Sequence, residues 1–392
     1  MPRSESLLPG GPRLADYATL GILASHVSKE SVRSAMERAG VKDVRRRLLP
    51  MEFTALFVVA MSLYRDVAYE EILRCLLEGM RWLGPVAPEI ATKGAVTQAR
   101  YRLGSESMRL LFEELAKPMA KQETQGAWYR SWLTVVVDGT TLEVPDSEEN
   151  ADAFGYPTNP KPGVFPLLRC ACLCETGTHA AFAARVRPYA SSEIEMMSSM
   201  TEALRPGMLL LADRGFFGYD LWKKAAGSGA ELLWRVNSNW TFPQNEILED
   251  GSWIAELRPP SKKHPGQESI RVRVIQYGLK DSKEIYRLVT TILDPKEAPA
   301  PELAALYAER WEVEGIFDEM KTHLKGRGLT LRSKTPELAL QEFWGMMIAH
   351  RALRSLIHEA ALKAKVDPDK ISFTNAVRIV KRTLPSRATL SP

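Results

Sequence analysis

The hydrophobic repeat of this sequence changes from helical to strand-like near Trp132, and this change restricts the folds that the chain can adopt. From about residue 17 to about residue 121, apolar side chains recur every three or four positions, for example at Phe53, Leu56, Phe57, Ala60 and Leu63. Residues 133–137 are instead rich in β-branched side chains, and further strand-like runs alternate with helical ones up to about residue 236. This order predicts an α/β fold in which helices flank a mixed sheet.

The same changes of pattern divide the 392 residues into four predicted parts. These are an all-helical N-terminal domain at 1–125, a core at 126–236 and 301–365, a β-rich insertion at 237–300 and a basic C-terminal tail at 366–392. Within the helical domain, Gly40 and Gly104 are predicted helix stops, because glycine readily adopts the left-handed conformation that ends a helix.

One segment of the helical domain has the pattern of a turn followed by a helix, at 92–102. Its leading polar face carries Thr97, Gln98, Arg100 and Arg102. A helix of this kind can enter the major groove of DNA with its N-terminal residues. The pattern is equally typical of a plain segment in a helical bundle, so both interpretations stay open. DNA binding by the N-terminal domain is therefore a prediction.

Composition and charge exclude several classes of protein. The net charge of +4 is small and does not by itself indicate a polyanionic partner. The N-terminus lacks the basic-then-apolar order of a secretory signal. The most apolar segment, 51–64, is shorter than the ~20 residues that a membrane-spanning helix needs. We therefore expect a cytoplasmic protein without a membrane anchor.

The cysteines do not indicate a disulfide scaffold, because there are only four in the chain. Cys170, Cys172 and Cys174 alternate, so on a strand all three point to one face. A metal site with His179 as a fourth ligand is the alternative, but the spacing matches no common zinc motif. We expect a buried strand face.

Two aspartates stand where apolar strands are predicted to end. Asp138 follows the run 133–137, and Asp213 follows the apolar run 207–212. An acid at such a position is held by a rigid sheet and faces the crevice where open α/β sheets bind ligands. Each has an ordinary alternative, since Asp138 with Gly139 is typical of a turn and Asp213 can pair with Arg214.

A third acidic position lies in the helical stretch YAERWEVEGIFDEMK. At about 100° per residue, Tyr307, Arg310, Glu314 and Lys321 fall on one stripe beside an apolar face. Asp318 lies near the stripe, and spacing alone does not choose between it and Glu314. The stretch taken alone is more typical of an amphipathic helix with ion pairs between successive turns.

Taken together, the acids and the polar stripe indicate phosphoryl transfer. Carboxylates close together repel one another, and a divalent cation removes that repulsion. Mg²⁺ prefers such hard oxygen ligands together with substrate phosphate. Three acids beside an aromatic and two cations therefore favour two-metal chemistry on a phosphodiester. A glycosidase with paired carboxylates would leave the Tyr-Arg-Lys row unexplained.

These residues resemble the DDE transposases of the insertion-sequence-four family. Tyr307, Arg310, Glu314 and Lys321 match the Y-x2-R-x3-E-x6-K signature of that family in every position and spacing. The segments VVVDGTTLEVPDSEENADAFG and LLLADRGFFGYDLW resemble its first two catalytic motifs. The resemblance covers nearly all of residues 20–380.

The resemblance implies a ribonuclease-H-like core with a β-rich insertion. It also implies that Asp138, Asp213 and Glu314 are the catalytic acids and hold two Mg²⁺ ions, for which Mn²⁺ would substitute. Glu314 is thereby favoured over Asp318. Tyr307, Arg310 and Lys321 would contact the DNA backbone near the cleaved end.

The implied reaction is cleavage of double-stranded DNA at terminal inverted repeats, followed by transfer of the freed strand into target DNA. The implied assembly is a homodimer that forms on DNA, associated with the bacterial nucleoid. A hairpin route would require an aromatic platform for a flipped base, and the candidates are Trp234, Trp240, Trp253 and Tyr286. The alternatives are a catalytically decayed DNA-binding regulator and a metal-dependent nuclease without strand transfer.

Overall fold

The computed structural model describes residues 26–41, 49–65, 67–80, 91–158, 163–259, 268–278, 285–326 and 328–382. These residues form two compact units. The first contains the described residues up to Leu115, together with 322–353 and those from Ser372 onward. The second contains 116–321 and 354–371. The final part of the predicted basic tail, 383–392, lies outside the described residues.

The first unit is helical. Its elements are α1 (Lys29–Arg38), α2 (Met51–Leu63), α3 (Tyr69–Met80), α4 (Lys93–Leu115), the first part of α10 (Pro336–Ala364) and α11 (Phe373–Arg382). The predicted stops are confirmed, because Gly40 follows α1 with φ 72° and Gly104 interrupts α4 with φ 73°. Helix α2 is buried on almost all sides, and Val58 packs closely against Gly345, where an added Cβ would lie 2.7 Å from the Val58 carbonyl oxygen.

The second unit is built on one mixed sheet, which confirms the predicted fold class. Its strands are β1 (Trp128–Tyr129), β2 (Trp132–Glu143), β3 (Leu167–Glu175), β4 (Ala181–Pro188), β5 (Met208–Ala212), β6 (Glu231–Val236), β7 (Glu246–Ile247), β8 (Trp253–Leu257), β9 (Ile270–Gly278) and β10 (Ile285–Thr290). Their order is β4-β3-β2-β5-β6-β10-β9-β8-β7, with β1 paired to β2. Strand β5 runs parallel to both β2 and β6, and the other pairs are antiparallel.

Helices of the second unit pack on this sheet or lead into it. They are α5 (Glu148–Phe154), α6 (Glu193–Ser198), α7 (Tyr219–Ala226), α8 (Ala300–Leu306) and α9 (Glu312–Asp318), with single 3₁₀ turns at Thr201–Ala203, Tyr307–Trp311 and Pro368–Lys370. Ser192 caps α6, since its hydroxyl accepts a hydrogen bond from the Glu195 amide, as the sequence predicts. The strands β7–β10, within the predicted insertion, continue the same sheet through the pairing of β10 with β6.

The core explains the cysteine pattern. Cys170, Cys172 and Cys174 on β3 are free thiols and fully buried, so the predicted buried strand face is confirmed. A hydrogen bond with Cys172 raises the pKa of the Cys170 thiol well above its usual value, and burial raises it further. No helix in the described part of the chain has the length and apolar character needed to cross a membrane.

Candidate active site

Asp138 and Asp213 occupy neighbouring positions on adjacent parallel strands. The register of β2 with β5 runs from Leu133 opposite Met208 to Val137 opposite Ala212. Asp138 is the next residue of β2, and Asp213 is the first residue after β5. Because side chains at the same register position of neighbouring strands lie close together, the sheet brings two residues that are far apart in sequence to one place.

The sequence prediction was wrong about where the first strand ends. Strand β2 continues past Asp138 to Glu143, so Asp138 lies within the strand and not at its end. The extension is stabilised by β3 alone, which pairs from Cys172 opposite Asp138 to Leu167 opposite Glu143. Strand β5 and its parallel pairing with β2 end at Ala212. Asp138 therefore has no β5 residue paired to it and lies beside a gap in the sheet.

The carboxylate of Asp138 lies in a partly buried and acidic environment. Its Oδ1 accepts a hydrogen bond of 2.8 Å from the Gly139 amide, and its Oδ2 lies 3.5 Å from the Arg310 Nη1. Burial raises the pKa of Asp138 to about 6, and the negative charges of Glu193 and Asp213 act in the same direction. Asp213 Oδ1 accepts a 2.6 Å bond from the Arg214 amide.

Glu193 is a site residue that the sequence analysis did not identify. It is the first residue of α6, and its carboxylate lies against Gly139, where an added Cβ would stand 2.6 Å from the Glu193 Oε1. Arg169 holds it there with a 2.5 Å ion pair. The sequence marks Glu193 only as the start of a capped helix, and nothing in the spacing to Asp138 signals their proximity.

The segment from Ala300 to Leu324 is helical throughout but not the uniform helix that the sequence predicted. Helix α8 leads into the 3₁₀ turn Tyr307–Trp311, then α9 follows, and the wider π geometry covers Glu319–Leu324. Changes of this kind within a helix occur frequently at functional sites. The predicted apolar face is confirmed, since Val313, Ile316, Phe317, Met320 and Leu324 are all buried.

Tyr307 and Arg310 point into the protein. Tyr307 is 5% exposed, and its hydroxyl donates a 3.1 Å hydrogen bond to the carbonyl oxygen of Ala212, the residue before Asp213. Burial raises the pKa of Tyr307 above its usual value. Arg310 is 7% exposed, and its Nε is buried without a hydrogen-bond partner. The 3₁₀ turn therefore connects the end of β5 with the carboxylate of Asp138.

Lys321 and Glu314 differ in their surroundings. Lys321 is partly buried, which lowers the pKa of its ammonium group, while Cys170, Glu143 and Asp138 act in the opposite direction. Glu314 lies on α9, which packs against β2, and its side chain is exposed. Asp318 is exposed as well, so exposure does not choose between these two acids.

The described residues contain one group of three potential metal ligands whose ligand atoms lie within 4.8 Å of one another, and it is His179, Glu312 and Asp369. Asp138, Asp213 and Glu314 do not converge to that distance. The sheet brings the two aspartates together, and Glu314 stands on the neighbouring helix.

The structure also changes the interpretation of the predicted recognition helix. Arg100 is 1% exposed and donates hydrogen bonds to the Gln341 Oε1, the Ser333 Oγ and the Leu338 carbonyl oxygen. A guanidinium bound in this way stabilises the helical unit, so Arg100 does not belong to an exposed polar face, and DNA binding by this domain stays a prediction. An open pocket of about 460 Å³ lies beside it, lined in part by Lys93, Thr97, Tyr101, Arg332 and Lys334.

The aromatic candidates separate by burial. Trp234 and Trp253 are buried, at 0% and 6% exposure, and belong to the core of the sheet. Trp240 is partly buried against Phe217 and Phe242, and the ring of Tyr286 is covered by the Arg235 guanidinium at 4.4 Å. An aromatic side chain outside the predicted set, Trp311, is 61% exposed beside Arg310.

We expect Tyr307→Phe to lower the free energy of unfolding by about 1–2 kcal/mol, because it leaves the buried Ala212 carbonyl without its donor. Denaturant unfolding measures this change. Tyr156→Phe is the matched control, since the Tyr156 hydroxyl bonds Asp146 at an exposed position and its loss should cost less than about 0.5 kcal/mol. Equal losses for both variants would show that the Tyr307 bond has no special structural role.

Two families match the chain. The family described as Transposase DDE domain matches residues 133–351, and the family described as Insertion element 4 transposase N-terminal matches residues 17–113. The first match covers more than half of the chain and includes the aspartates and the segment Y-x2-R-x3-E-x6-K. The chain belongs to the DDE transposases, and within them to the insertion-sequence-four family.

Two bacterial proteins described as transposases are similar to this chain in sequence. The chain is 29% identical over 381 residues to the transposase InsG of insertion sequence element IS4 from Escherichia coli K12, an alignment that covers 94% of this chain and 84% of InsG. It is 25% identical to the putative transposase InsZ from the same strain, over 59% of this chain and 75% of InsZ.

A solved structure confirms the fold. The piggyBac transposase in a synaptic complex with hairpin DNA superposes with a TM-score of 0.53 at 14% identity, over 96% of this chain and 82% of that one. This likeness supports the ribonuclease-H-like sheet predicted from the sequence. The chain is thus an enzyme that acts on DNA, and a DDE domain uses divalent metal ions.

Proposed function

We propose that this transposase cleaves DNA at the terminal inverted repeats of its element through Asp138, Asp213 and Glu314. The observation that carries the proposal is the register of β2 with β5, which sets Asp138 beside Asp213 at the edge where the parallel pairing ends. Glu314 stands on α9, which packs on β2, and we propose that it acts with them when metal and DNA are bound. Its position in the Y-x2-R-x3-E-x6-K segment favours it over Asp318.

The chemistry of the donors at this edge fits hard divalent cations. Burial raises the pKa of Asp138, the carboxylates of Glu193 and Asp213 act in the same direction, and Arg310 opposes them. We propose that the three carboxylates would hold two Mg²⁺ ions, with Mn²⁺ able to substitute. When bound, such ions activate the attacking oxygen and stabilise the leaving oxygen of a phosphodiester.

Arg310 and Lys321 supply the positive charge that a DNA strand requires at this edge. The Arg310 guanidinium lies 3.5 Å from the Asp138 carboxylate, and guanidinium groups bind phosphate oxygens strongly. Lys321 lies within electrostatic range of Asp138. We propose that both contact the backbone next to the scissile phosphate. Tyr307 is buried and orients the end of β5 through its hydrogen bond to Ala212, so we propose that its part in DNA binding is to position the residue before Asp213.

We propose that the remaining DNA contacts come from the helical domain, 1–125, together with the segment 332–334 of the same helical unit. Lys93 and Thr97 line the 460 Å³ pocket together with Arg332 and Lys334, and these cations suit phosphate. The piggyBac structure contains hairpin DNA, and a hairpin route here would need an aromatic platform for an extruded base. Among the residues first considered, Trp240 and Tyr286 remain candidates, and the exposed Trp311 joins them.

We further propose that two protomers assemble on paired transposon ends, and that the protein acts in the cytoplasm on the nucleoid. Each active site would then cut the end that its own protomer or its partner binds. This arrangement follows from the need to cut and join two ends in one event.

The decisive experiment uses two duplexes that carry the element's inverted repeat, one uncut and one with a pre-cut 3′ end, with a plasmid target. We expect Mg²⁺-dependent nicking of the first duplex and joining of the second to the plasmid, both abolished by EDTA. Nicking without joining would identify a nuclease, and binding without either reaction would identify a decayed regulator. Either outcome would contradict the proposed function.

A further inference from the structure

A second set of ligand-type side chains lies outside the proposed catalytic acids. His179 stands in the turn between β3 and β4 with φ 56°, Glu312 is the first residue of α9, and Asp369 lies in the 3₁₀ turn Pro368–Lys370. The His179 Nε2 is 3.0 Å from the Asp369 Oδ1 and 3.7 Å from the Glu312 Oε2. Three segments that are remote in sequence therefore direct one nitrogen and two oxygens to a common point.

Two of these three atoms lack the hydrogen bonds that buried polar atoms require. The His179 Nε2 and the Glu312 Oε2 are both inaccessible to solvent and have no hydrogen-bond partner. The carboxylates of Asp369 and Glu312 lie at ion-pair distance from the Nε2, and neither contact has the geometry of a hydrogen bond. Buried polar groups in folded proteins are nearly always paired, and two unpaired atoms facing the same point indicate a missing ligand between them.

The separations match the coordination sphere of a small transition-metal ion. Ligand bonds of about 2.0–2.2 Å in tetrahedral geometry place neighbouring donor atoms about 3.4 Å apart. The observed 3.0 Å and 3.7 Å lie on either side of that value. One imidazole with two carboxylates suits Zn²⁺ and its first-row neighbours, whereas Mg²⁺ prefers oxygen ligands alone.

We propose that His179, Glu312 and Asp369 bind one divalent transition-metal ion of the Zn²⁺ class. The ion would connect the β3–β4 turn and the turn Pro368–Lys370 to the start of α9, two residues before Glu314. Its role is structural, because a bound ion at this position fixes the helix that presents Glu314 to the sheet. The site is separate from the catalytic acids and does not depend on which DNA reaction the protein performs.

The other nitrogen of His179 has the outer partner that metal-bound histidines usually have. The His179 Nδ1 lies 3.5 Å from the Glu319 Oε1 and 2.5 Å from the Arg354 Nη2. Glu319 also holds Arg354 in a buried ion pair. In the structure the Arg354 guanidinium donates to the Nδ1, so a metal at the Nε2 would require the Nδ1 to carry its proton towards Glu319, with Arg354 donating to Glu319 alone. That would be the carboxylate–histidine arrangement of many metal sites. Arg354 then keeps Glu319 as its own partner.

The charges around the group also favour a cation. Burial raises the pKa of Glu309 to about 7, and the negative charges of Glu312, Asp369 and Asp367 contribute to that increase. Several carboxylates therefore lie close to one another around the group, and a divalent ion would offset their repulsion.

The test removes the catalytic acids first, so that they cannot bind metal. The full-length variant D138A/D213A/E314Q is freed of metal with a chelator and titrated with Zn²⁺ against a competing chromophoric chelator. We expect one tight Zn²⁺ per chain. Adding His179→Ala should weaken that binding by roughly 100-fold or more, since it deletes the single nitrogen ligand. Glu312→Gln and Asp369→Asn should also weaken it, and the neighbouring acid variant Glu309→Gln should leave it within about threefold.

A spectroscopic measurement keeps the result independent of folding effects. With Cu²⁺ in the same background, electron spin echo modulation detects a coordinated imidazole nitrogen, and we expect this signal to persist in Glu309→Gln and in Asp369→Asn. Circular dichroism confirms that each variant is folded. Absence of Zn²⁺ binding in the background variant would overturn the proposal, and so would Zn²⁺ binding or a nitrogen signal that survives His179→Ala in a folded protein.

Discussion

Asp138→Asn, Asp213→Asn and Glu314→Gln each reduce Mg²⁺-dependent nicking of an inverted-repeat duplex by roughly 1,000-fold or more, while DNA binding stays within about threefold of the parent protein. We expect this result because each carboxylate would supply hard oxygen ligands to ions that stabilise charge in the transition state. The substitutions remove a charge and keep the side-chain volume. Nicking is measured under single-turnover conditions, and binding by mobility shift.

Asp318→Asn is the matched control for Glu314→Gln. Both acids are exposed, and the two residues lie one helical turn apart at the end of α9. We expect Asp318→Asn to retain nicking within about threefold of the parent protein. If Asp318→Asn abolished nicking and Glu314→Gln did not, the third acid would be Asp318, and the assignment by the Y-x2-R-x3-E-x6-K spacing would be wrong.

The second large effect is on stability, and it concerns Arg273 on β9. This side chain is fully buried, and its guanidinium donates hydrogen bonds to the Ser252 Oγ at 2.8 Å, to the Asp250 Oδ2 at 2.5 Å and to the Ala298 carbonyl oxygen at 2.7 Å. Burial lowers the pKa of Arg273, and the Asp250 carboxylate opposes that change. The group therefore connects β9 to the turn before β8 and to the start of α8.

We expect Arg273→Met to lower the free energy of unfolding by about 3–5 kcal/mol. The substitution leaves the Asp250 carboxylate and the Ala298 carbonyl without their shared donor inside the sheet. Thermal and denaturant unfolding measure the loss. Because α8 leads directly into the turn of Tyr307 and Arg310, we also expect nicking at elevated temperature to fail before DNA binding does.

Arg271→Met, two residues earlier on the same strand, is the control for Arg273→Met. Arg271 pairs with Glu246 at 3.0 Å, but the two side chains are 60% and 57% exposed. An exposed pair of this kind contributes about 0–1 kcal/mol, so the control should remain near the stability of the parent protein. Similar losses for both variants would show that the burial of Arg273 does not explain the loss of stability in Arg273→Met.

Much of the fold followed from local pattern. The change of hydrophobic period near Trp132 predicted a mixed sheet after a helical region, and the alternation of Cys170, Cys172 and Cys174 predicted a buried face. Both features arise because side-chain direction repeats every two residues in a strand and every 3.6 in a helix. The stops at Gly40 and Gly104 were predictable for the same local reason, since glycine adopts positive φ without strain.

Long-range features were not predictable from the sequence. Nothing local indicates that β2 extends to Glu143, since that extension depends on pairing with β3. The polar face of 92–102 looked suitable for DNA, yet Arg100 is enclosed by Gln341, Ser333 and Leu338 from a segment more than two hundred residues away. The apolar and polar stripes of the signature segment were predictable, but its changes of helical geometry were not.

The sequence by itself determined the types of residue and their spacing: two aspartates after apolar strands and a Tyr-Arg-Glu-Lys segment that resembles one family. It did so because composition and periodicity are local properties of the chain. Only the tertiary structure decided which groups meet. It set Asp138 beside Asp213 and Arg310, brought Glu193 against Gly139, and gathered His179 with Glu312 and Asp369. Those contacts depend on strand register and long-range packing, for which the spacing of residues along the chain carries no signal.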